Sequence, residues 1–234
     1  MPRIARIVAV GHPHHVTQRG NYRQDIFDDD ESRAKYLKFV QTESERYGLE
    51  ILAYCLMSNH VHFIVVPETL GSMGNVFKYV NMKYSQYFNK KFGERGHLFQ
   101  GRFFSTVMDE AHTMTCVKYI ERNPVRAKMV KGPLEWKWSS ANGHCGGKTK
   151  KQASLRLPRL QALFKYVGID QKEWQKYLEQ EDDAVEMRKI KENTIKGRPL
   201  AGVGFIKRLE EKLDRVLILK SRGRPRKKTE KHKK

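Results

Sequence analysis

Apolar and polar residues follow two different periods along the first half of the chain. Short runs of strand-forming residues predict β-strands, and apolar residues three or four positions apart predict helices. Two apolar runs that are split only by Ser58-Asn59 are typical of a β-hairpin. The predicted strands are residues 14–18, 49–57, 60–67 and the end of 96–108, and the predicted helices are residues 28–48, 72–92 and 109–122.

Cap and breaker residues support the ends of the predicted helices. Acidic residues at 28–30 favour a helix start, and Gly48 is a natural C-cap. Asn123-Pro124 disfavours straight continuation of the last helix. The βαββαβ order of these elements predicts an α+β, ferredoxin-like fold, in which an antiparallel sheet carries helices on one face.

The chain changes character after about residue 150. We expect residues 1–150 to form the catalytic domain and residues 151–219 to form a helical C-terminal extension, with charged helical segments at about 158–167, 171–193 and 203–218. Residues 220–234 contain almost no apolar side chains, so we expect a disordered basic tail.

The charge of the chain points to a polyanionic partner. Lys and Arg number 46 against 26 Asp and Glu, a formal net charge of +20, which favours nucleic acid. We expect no membrane association, because no long uncharged apolar run occurs. The short apolar run IVAV near the N-terminus is too short for a signal-peptide core, and the three cysteines form no CxxC pair, so a cytoplasmic, nucleoid-associated protein is expected.

Two histidines two positions apart are candidates for a metal site. His60 and His62 lie on a predicted strand, where a period of two directs both imidazoles to the same face. An isolated His-x-His pair is more often structural. Tyr119 and Asn123, four apart near the predicted 109–122 helix, supply a phenol nucleophile and an amide ligand that together with the histidines would make a metal-assisted nuclease. The sequence does not identify the group that activates the tyrosine.

Four segments carry a resemblance to a known family: HHVTQRGNYRQDIF, YCLMSNHVHFIV, HLFQGRFFS and YIERNPVRAKMV. In this order they closely resemble the REP-associated tyrosine transposases, relatives of the insertion-sequence single-tyrosine HUH transposases, over about residues 11 to 142. The resemblance implies metal ligands at His60 and His62, a nucleophile at Tyr119 and a further polar residue at Asn123. It also implies cleavage of single-stranded DNA beside hairpin-forming palindromes through a 5′-phosphotyrosine, with Mg²⁺ or Mn²⁺ as cofactor.

Further residues are candidates for DNA contact. Arg19, Arg23 and Arg102 lie in predicted loops or strand ends beside aromatic residues, a mixture that suits single strands. Arg222, Arg224 and Arg226 lie in RGRPRKK, which resembles an AT-hook core but is equally explained as a general polybasic tail.

Several alternatives remain open from the sequence. His15 either supports the metal site or contacts DNA, although a satisfied structural histidine is favoured, and Trp136 and Trp138 are favoured as core residues. A relaxase would order its histidine strand and tyrosine helix differently. A catalytically silent, transposase-derived DNA-binding regulator is the alternative function, and the chain acts either as a monomer or as a homodimer.

Overall fold

A four-stranded antiparallel sheet forms the centre of the fold. The computed structural model describes residues 5–146 and 163–217. The strands are β1 (His14–Arg19), β2 (Leu49–Leu56), β3 (His60–Pro67) and β4 (Phe104–Val107). Their order across the sheet is β2-β3-β1-β4, and each neighbouring pair is antiparallel. This order is that of the predicted ferredoxin-like fold, with β1 beside the strand that carries His60 and His62.

The helices and strands of the first half alternate in the predicted order. They are α1 (Asp30–Tyr47), α2 (Ser72–Phe92), α3 (Glu110–Glu121), α4 (Asn123–Arg126), α5 (Ala141–His144), α6 (Leu163–Val167), α7 (Gln171–Glu179), α8 (Ala184–Lys196) and α9 (Val203–Leu213). None of the helices in residues 5–146 and 163–217 is long and apolar enough to cross a membrane.

Helices α1 and α2 cover one face of the sheet. Alternate sheet residues such as Val16 and Phe63 form a buried cluster with apolar residues of both helices, including Tyr36 and Phe77. The Asp29 side chain caps α1 by accepting a hydrogen bond from the backbone N–H of Ser32 at 2.7 Å. Gly48 ends the helix with a left-handed φ of 63°, which glycine adopts without steric cost. The predicted cap is therefore confirmed.

Helix α3 lies against the opposite face. Its residues Cys116, Val117 and Ile120 belong to a second buried cluster with Ala53 and Ile64 of the sheet. The expected placement of helices on one face thus holds for the βαββαβ unit, whereas α3 and later helices cover the other side. The sheet is consequently buried on both faces, and the side chains between α3 and the sheet form the candidate site.

The C-terminal helices pack directly on this second face. Trp174 of α7 and Ile190 of α8 are fully buried in the same cluster as α3. Beyond α8, the backbone N–H of Leu200 donates to the carbonyl of Val107 at 2.9 Å, next to a parallel bridge between Met108 and Leu200. The chain after residue 163 therefore shares the core of the sheet. The predicted segment at 158–167 is described only from residue 163, and the basic tail lies outside the described residues.

Candidate active site

His60 and His62 lie on the sheet face that α3 covers. Both occupy the start of β3, and their ring centroids are 4.9 Å apart with planes at 78°. His62 is only 6% exposed, while His60 is half-buried. The strand period places both rings on one side, as the sequence predicts.

The hydrogen bonds of His60 leave one ring nitrogen available. Nδ1 of His60 lies 2.6 Å from Oδ1 of Asn59, whose Nδ2 donates to the carbonyl of Arg23 at 3.0 Å. Because the Arg23 carbonyl only accepts, it fixes the orientation of the Asn59 amide, and Nδ1–H of His60 donates to Oδ1. The lone pair of Nε2 is then available to a ligand.

His15 of β1 lies beside His62 on the same face. Nε2 of His15 and Nδ1 of His62 are 2.8 Å apart, and the rings are within 10° of parallel. Nδ1 of His15 lies 2.8 Å from Oγ1 of Thr194. Of the interpretations left open from the sequence, the structure favours support of the site, because His15 touches His62 directly. His14 points to the opposite face and bonds only to backbone atoms of residues 9 and 12.

Burial keeps these imidazoles neutral. It lowers the pKa of His15 to about 3, and burial together with nearby Arg19 lowers the pKa of His60 to about 4. The pKa of His62 is also well below its usual value, mainly through burial and then through its histidine neighbours. Neutral imidazoles are the form that binds a metal.

Tyr119 projects from α3 onto the histidines. Its ring centroid lies 5.9 Å from that of His62 and 6.0 Å from that of His15, in both cases nearly edge to face. The side chain is half-buried. Burial raises the pKa of the Tyr119 phenol, while the charges of Arg126 and Arg19 lower it. The geometry brings the predicted nucleophile and the predicted metal ligands together.

Asn123 lies just beyond α3, at the start of the short turn α4. Its Oδ1 accepts a hydrogen bond from Arg126 at 2.8 Å, and its buried Nδ2 has no hydrogen-bond partner among the described residues. The guanidinium of Arg126 also donates to the backbone carbonyl of Tyr119 and lies 4.4 Å from the centre of its ring. Arg126 therefore links Tyr119 to Asn123.

The donor set suits a cation only in part. His60 and His62 can each offer an imidazole nitrogen, which borderline divalent ions accept. Within residues 5–146 and 163–217, no group of three or more His, Cys, Asp or Glu side chains is arranged to hold a metal ion. The protein would therefore hold a cation with the two histidines and one amide or solvent oxygen, an open arrangement that leaves positions for a substrate phosphate.

The predicted DNA-contacting arginines of the described chain lie along one end of the sheet. Arg19 pairs across the strands with His60 and is half-buried. Arg23 and Arg102 are exposed in loops. Arg222, Arg224 and Arg226 lie outside the described residues. Trp138 is 3% exposed and Trp136 is half-buried against the core, in agreement with the prediction.

A groove of about 620 Å³ opens beside these loops. Tyr22, Arg102 and Phe104 line one side, and residues 194–197 at the end of α8 line the other. Tyr22 is 90% exposed with a left-handed φ of 49°, which is uncommon for a bulky residue. Phe104 stands opposite Thr17, which stands opposite His62, so the groove lies about two strand spacings, roughly 10 Å, from the histidines.

Sequence reasoning missed several residues that shape the site. Of these residues, Arg126 was the easiest to find from the sequence, because it follows Asn123 by three positions inside the segment YIERNPVRAKMV. Asp182 binds Arg122 and Arg126 at 3.2 and 3.1 Å, and Thr194 binds His15. Both come from the C-terminal extension, and no sequence pattern connects them with the histidine strand.

Comparison with known proteins agrees with the fold. The fold combines a ferredoxin-like sheet, whose strand β3 carries His60 and His62, with helix α3, which carries Tyr119. Residues 10–123 match the sequence model of the family described as "Transposase IS200 like". This match confirms the resemblance to REP-associated tyrosine transposases.

Two solved structures are similar to the chain. The structure of a REP-associated tyrosine transposase bound to a REP hairpin is 19% identical, covers 66% of this chain and 91% of its own, and has a TM-score of 0.51. A candidate transposase from Deinococcus radiodurans R1 is 17% identical, with 51% and 96% covered and a TM-score of 0.36. The similarity to the first structure supports the fold, and the similarity to the second is too low to support a conclusion. No curated protein matches the chain.

Proposed function

We propose that the chain is a metal-dependent single-strand DNA endonuclease and strand transferase that cleaves beside hairpin-forming palindromic repeats. Tyr119 is the nucleophile, and His60 and His62 hold Mg²⁺ or Mn²⁺. The observation that carries the proposal is the convergence of the histidine pair of β3 and Tyr119 of α3, since the Tyr119 ring lies 5.9 Å from His62, which lies 4.9 Å from His60.

In the proposed reaction, Tyr119 Oη forms a bond to the scissile phosphorus while the bond from phosphorus to the 3′ oxygen breaks. The phenol proton is lost and the departing 3′ oxygen gains one, which leaves a 5′-phosphotyrosine and a free 3′-hydroxyl. Attack by a 3′-hydroxyl on this linkage reverses the step and rejoins DNA without ATP. When bound, the divalent cation polarises the scissile phosphate and offsets charge that develops on its oxygens.

Two arginines near Tyr119 favour the phenolate, although burial keeps the pKa of the phenol above its usual value. The guanidinium of Arg126 lies 4.4 Å from the centre of the phenol ring, and Arg126 and Arg19 both lower the pKa of the phenol. Asn123 serves in this proposal as a third ligand once its Oδ1 leaves Arg126, and otherwise orients Arg126 under the ring. The charges of Arg126 and Arg19 oppose the effect of burial, which disfavours the phenolate.

The groove is the proposed path of the single strand. Arg102 and Lys196 supply positive charge along it, and Tyr22 and Phe104 present aromatic surface for unpaired bases. Arg19 and Arg23 extend the basic surface toward the histidines. The REP hairpin bound by the similar solved structure supports hairpin DNA as the partner of this chain.

The test compares the unaltered chain with Tyr119→Phe on labelled single-stranded DNA that contains a hairpin, in the presence of Mn²⁺. A covalent protein–DNA band on a denaturing gel is expected for the unaltered chain alone. Tyr79→Phe is the control, because Tyr79 stacks on Tyr47 on the α1 and α2 side. Cleavage that survives in Tyr119→Phe refutes the nucleophile, and binding without cleavage in any divalent ion supports the silent regulator.

A further inference from the structure

Four groups from three parts of the chain form one line of hydrogen bonds behind His62. Nδ1 of His62 lies 2.8 Å from Nε2 of His15, and Nδ1 of His15 lies 2.8 Å from Oγ1 of Thr194. The same hydroxyl lies 2.7 Å from the carbonyl of Ile190, one turn earlier in α8. His15, His62 and Thr194 are 1%, 6% and 2% exposed, so water competes little for these bonds.

The line has a direction, because its last member can only accept. The single hydroxyl proton of Thr194 donates to the Ile190 carbonyl, so Oγ1 accepts from Nδ1–H of His15. A neutral imidazole carries one N–H, so Nε2 of His15 is an acceptor and Nδ1–H of His62 donates to it. Nε2 of His62 is left with a free lone pair.

The opposite direction would disable His62 as a ligand. If the Thr194 hydroxyl turned toward His15, His15 would donate from Nε2 and His62 would carry its proton on Nε2. An N–H group cannot coordinate a cation. The position of one hydroxyl proton in α8 thus decides whether Nε2 of His62 presents a lone pair or an N–H group to the site. His60 reaches the same state through a separate anchor, Asn59 and the Arg23 carbonyl.

We propose that Thr194 and His15 are positioning residues that hold His62 in the tautomer whose Nε2 is free to bind a metal ion. The C-terminal extension, through Thr194 of α8, therefore takes part in preparing the histidine pair. Metal binding by His62 rests on the proposed function, whereas the tautomer of His62 is a property of the metal-free protein. Partners of this kind typically change metal affinity by about 10- to 100-fold.

The primary test is the tautomer of His62 in the metal-free full chain, read from long-range ¹⁵N–¹H NMR correlations of ¹⁵N-histidine-labelled protein. A proton on Nδ1 of His62 is expected. Thr194→Val should produce a population with the proton on Nε2, and Thr194→Ser should restore the single form. A proton on Nε2 in the unaltered chain, or an unchanged pattern in Thr194→Val, overturns the proposal.

Variants of His15 provide an independent test. His15→Gln keeps a donor toward Thr194 and an acceptor toward His62, whereas His15→Leu keeps bulk without either. Mn²⁺ affinity, measured by electron paramagnetic resonance, should fall by about 10- to 100-fold in His15→Leu and stay within a few-fold in His15→Gln. Equal loss in both overturns the proposal. Thr42→Val removes a similar helical hydroxyl bond in α1 and should change neither measurement.

The metal site and the tautomer of His62 can be refuted separately. If Mn²⁺ does not broaden the signals of His60 and His62 in the unaltered chain, the metal site of the proposed function is wrong. The tautomer pattern of the metal-free series still decides whether Thr194 and His15 orient His62. If Mn²⁺ binds but the tautomer ignores Thr194, the proposed function stands and the role of α8 is refuted.

Discussion

His14 should make the protein sensitive to acid in a measurable way. The side chain is fully buried, its Nδ1–H donates to the carbonyl of His12 and its Nε2 accepts from the N–H of Ala9. Burial lowers the pKa of His14 to about 4. As the pH falls below the unfolded pKa of about 6.5, the unfolded chain takes up a proton that the folded chain refuses, so stability is lost down to about pH 4.

The size of this effect follows from the two pKa values. Between about pH 7.5 and pH 5, proton uptake by the unfolded state should cost about 2 kcal/mol of unfolding free energy from His14 alone. His14→Gln keeps a donor and an acceptor but cannot bind the proton. Urea unfolding at both pH values should therefore show a loss about 2 kcal/mol smaller in His14→Gln than in the unaltered chain.

The comparison uses differences within each variant, so any cost of the substitution at neutral pH cancels. His97→Gln, which alters an exposed histidine, is the control and should keep the pH dependence of the unaltered chain. An identical pH dependence in His14→Gln would refute the argument, because it would mean that His14 is protonated to the same extent in the folded and unfolded chains.

Two further substitutions test other parts of the structure. Trp174→Phe removes the 3.1 Å hydrogen bond from the indole to the buried carboxylate of Glu121, and should lower the unfolding free energy by about 1.5–3 kcal/mol in urea titrations. An unchanged midpoint would contradict the packing of α7 on α3. Tyr22→Ala should weaken single-stranded DNA binding by about 1–3 kcal/mol in fluorescence anisotropy, while Leu70→Ala, at the far end of β3, should not. Equal binding by both variants would remove Tyr22 from the DNA path.

The sequence predicted the elements of the first half closely because local signals there agree. The turn of the hairpin contains Ser58-Asn59 in both prediction and structure, and helix α2 has the predicted bounds of residues 72 and 92. The order of elements then leaves few ways to build an antiparallel sheet. The predicted segment at 171–193 instead contains two helices, which are separated by residues 180–183. Asp183 caps the second helix.

The candidate site was predictable where its residues belong to motifs and unpredictable where they act across long distances. The strand period alone put His60 and His62 on one face. The contact between His15 and Thr194 joins residues 179 positions apart, and neither the histidine nor the threonine carries a local pattern that announces it. Such pairs are set by how helices pack on the sheet, which a period along the chain does not encode.

The contacts of the C-terminal helices explain why they belong with the site. Trp174 reaches the carboxylate of Glu121, two residues beyond Tyr119, and Asp182 binds Arg126, which lies under the Tyr119 ring. Thr194 reaches His15 behind His62. The contacts of Asp182 and Thr194 end on Arg126 and His15, which themselves touch Tyr119 and His62. A shift of these helices would therefore change the orientation and charge around Tyr119 and His62.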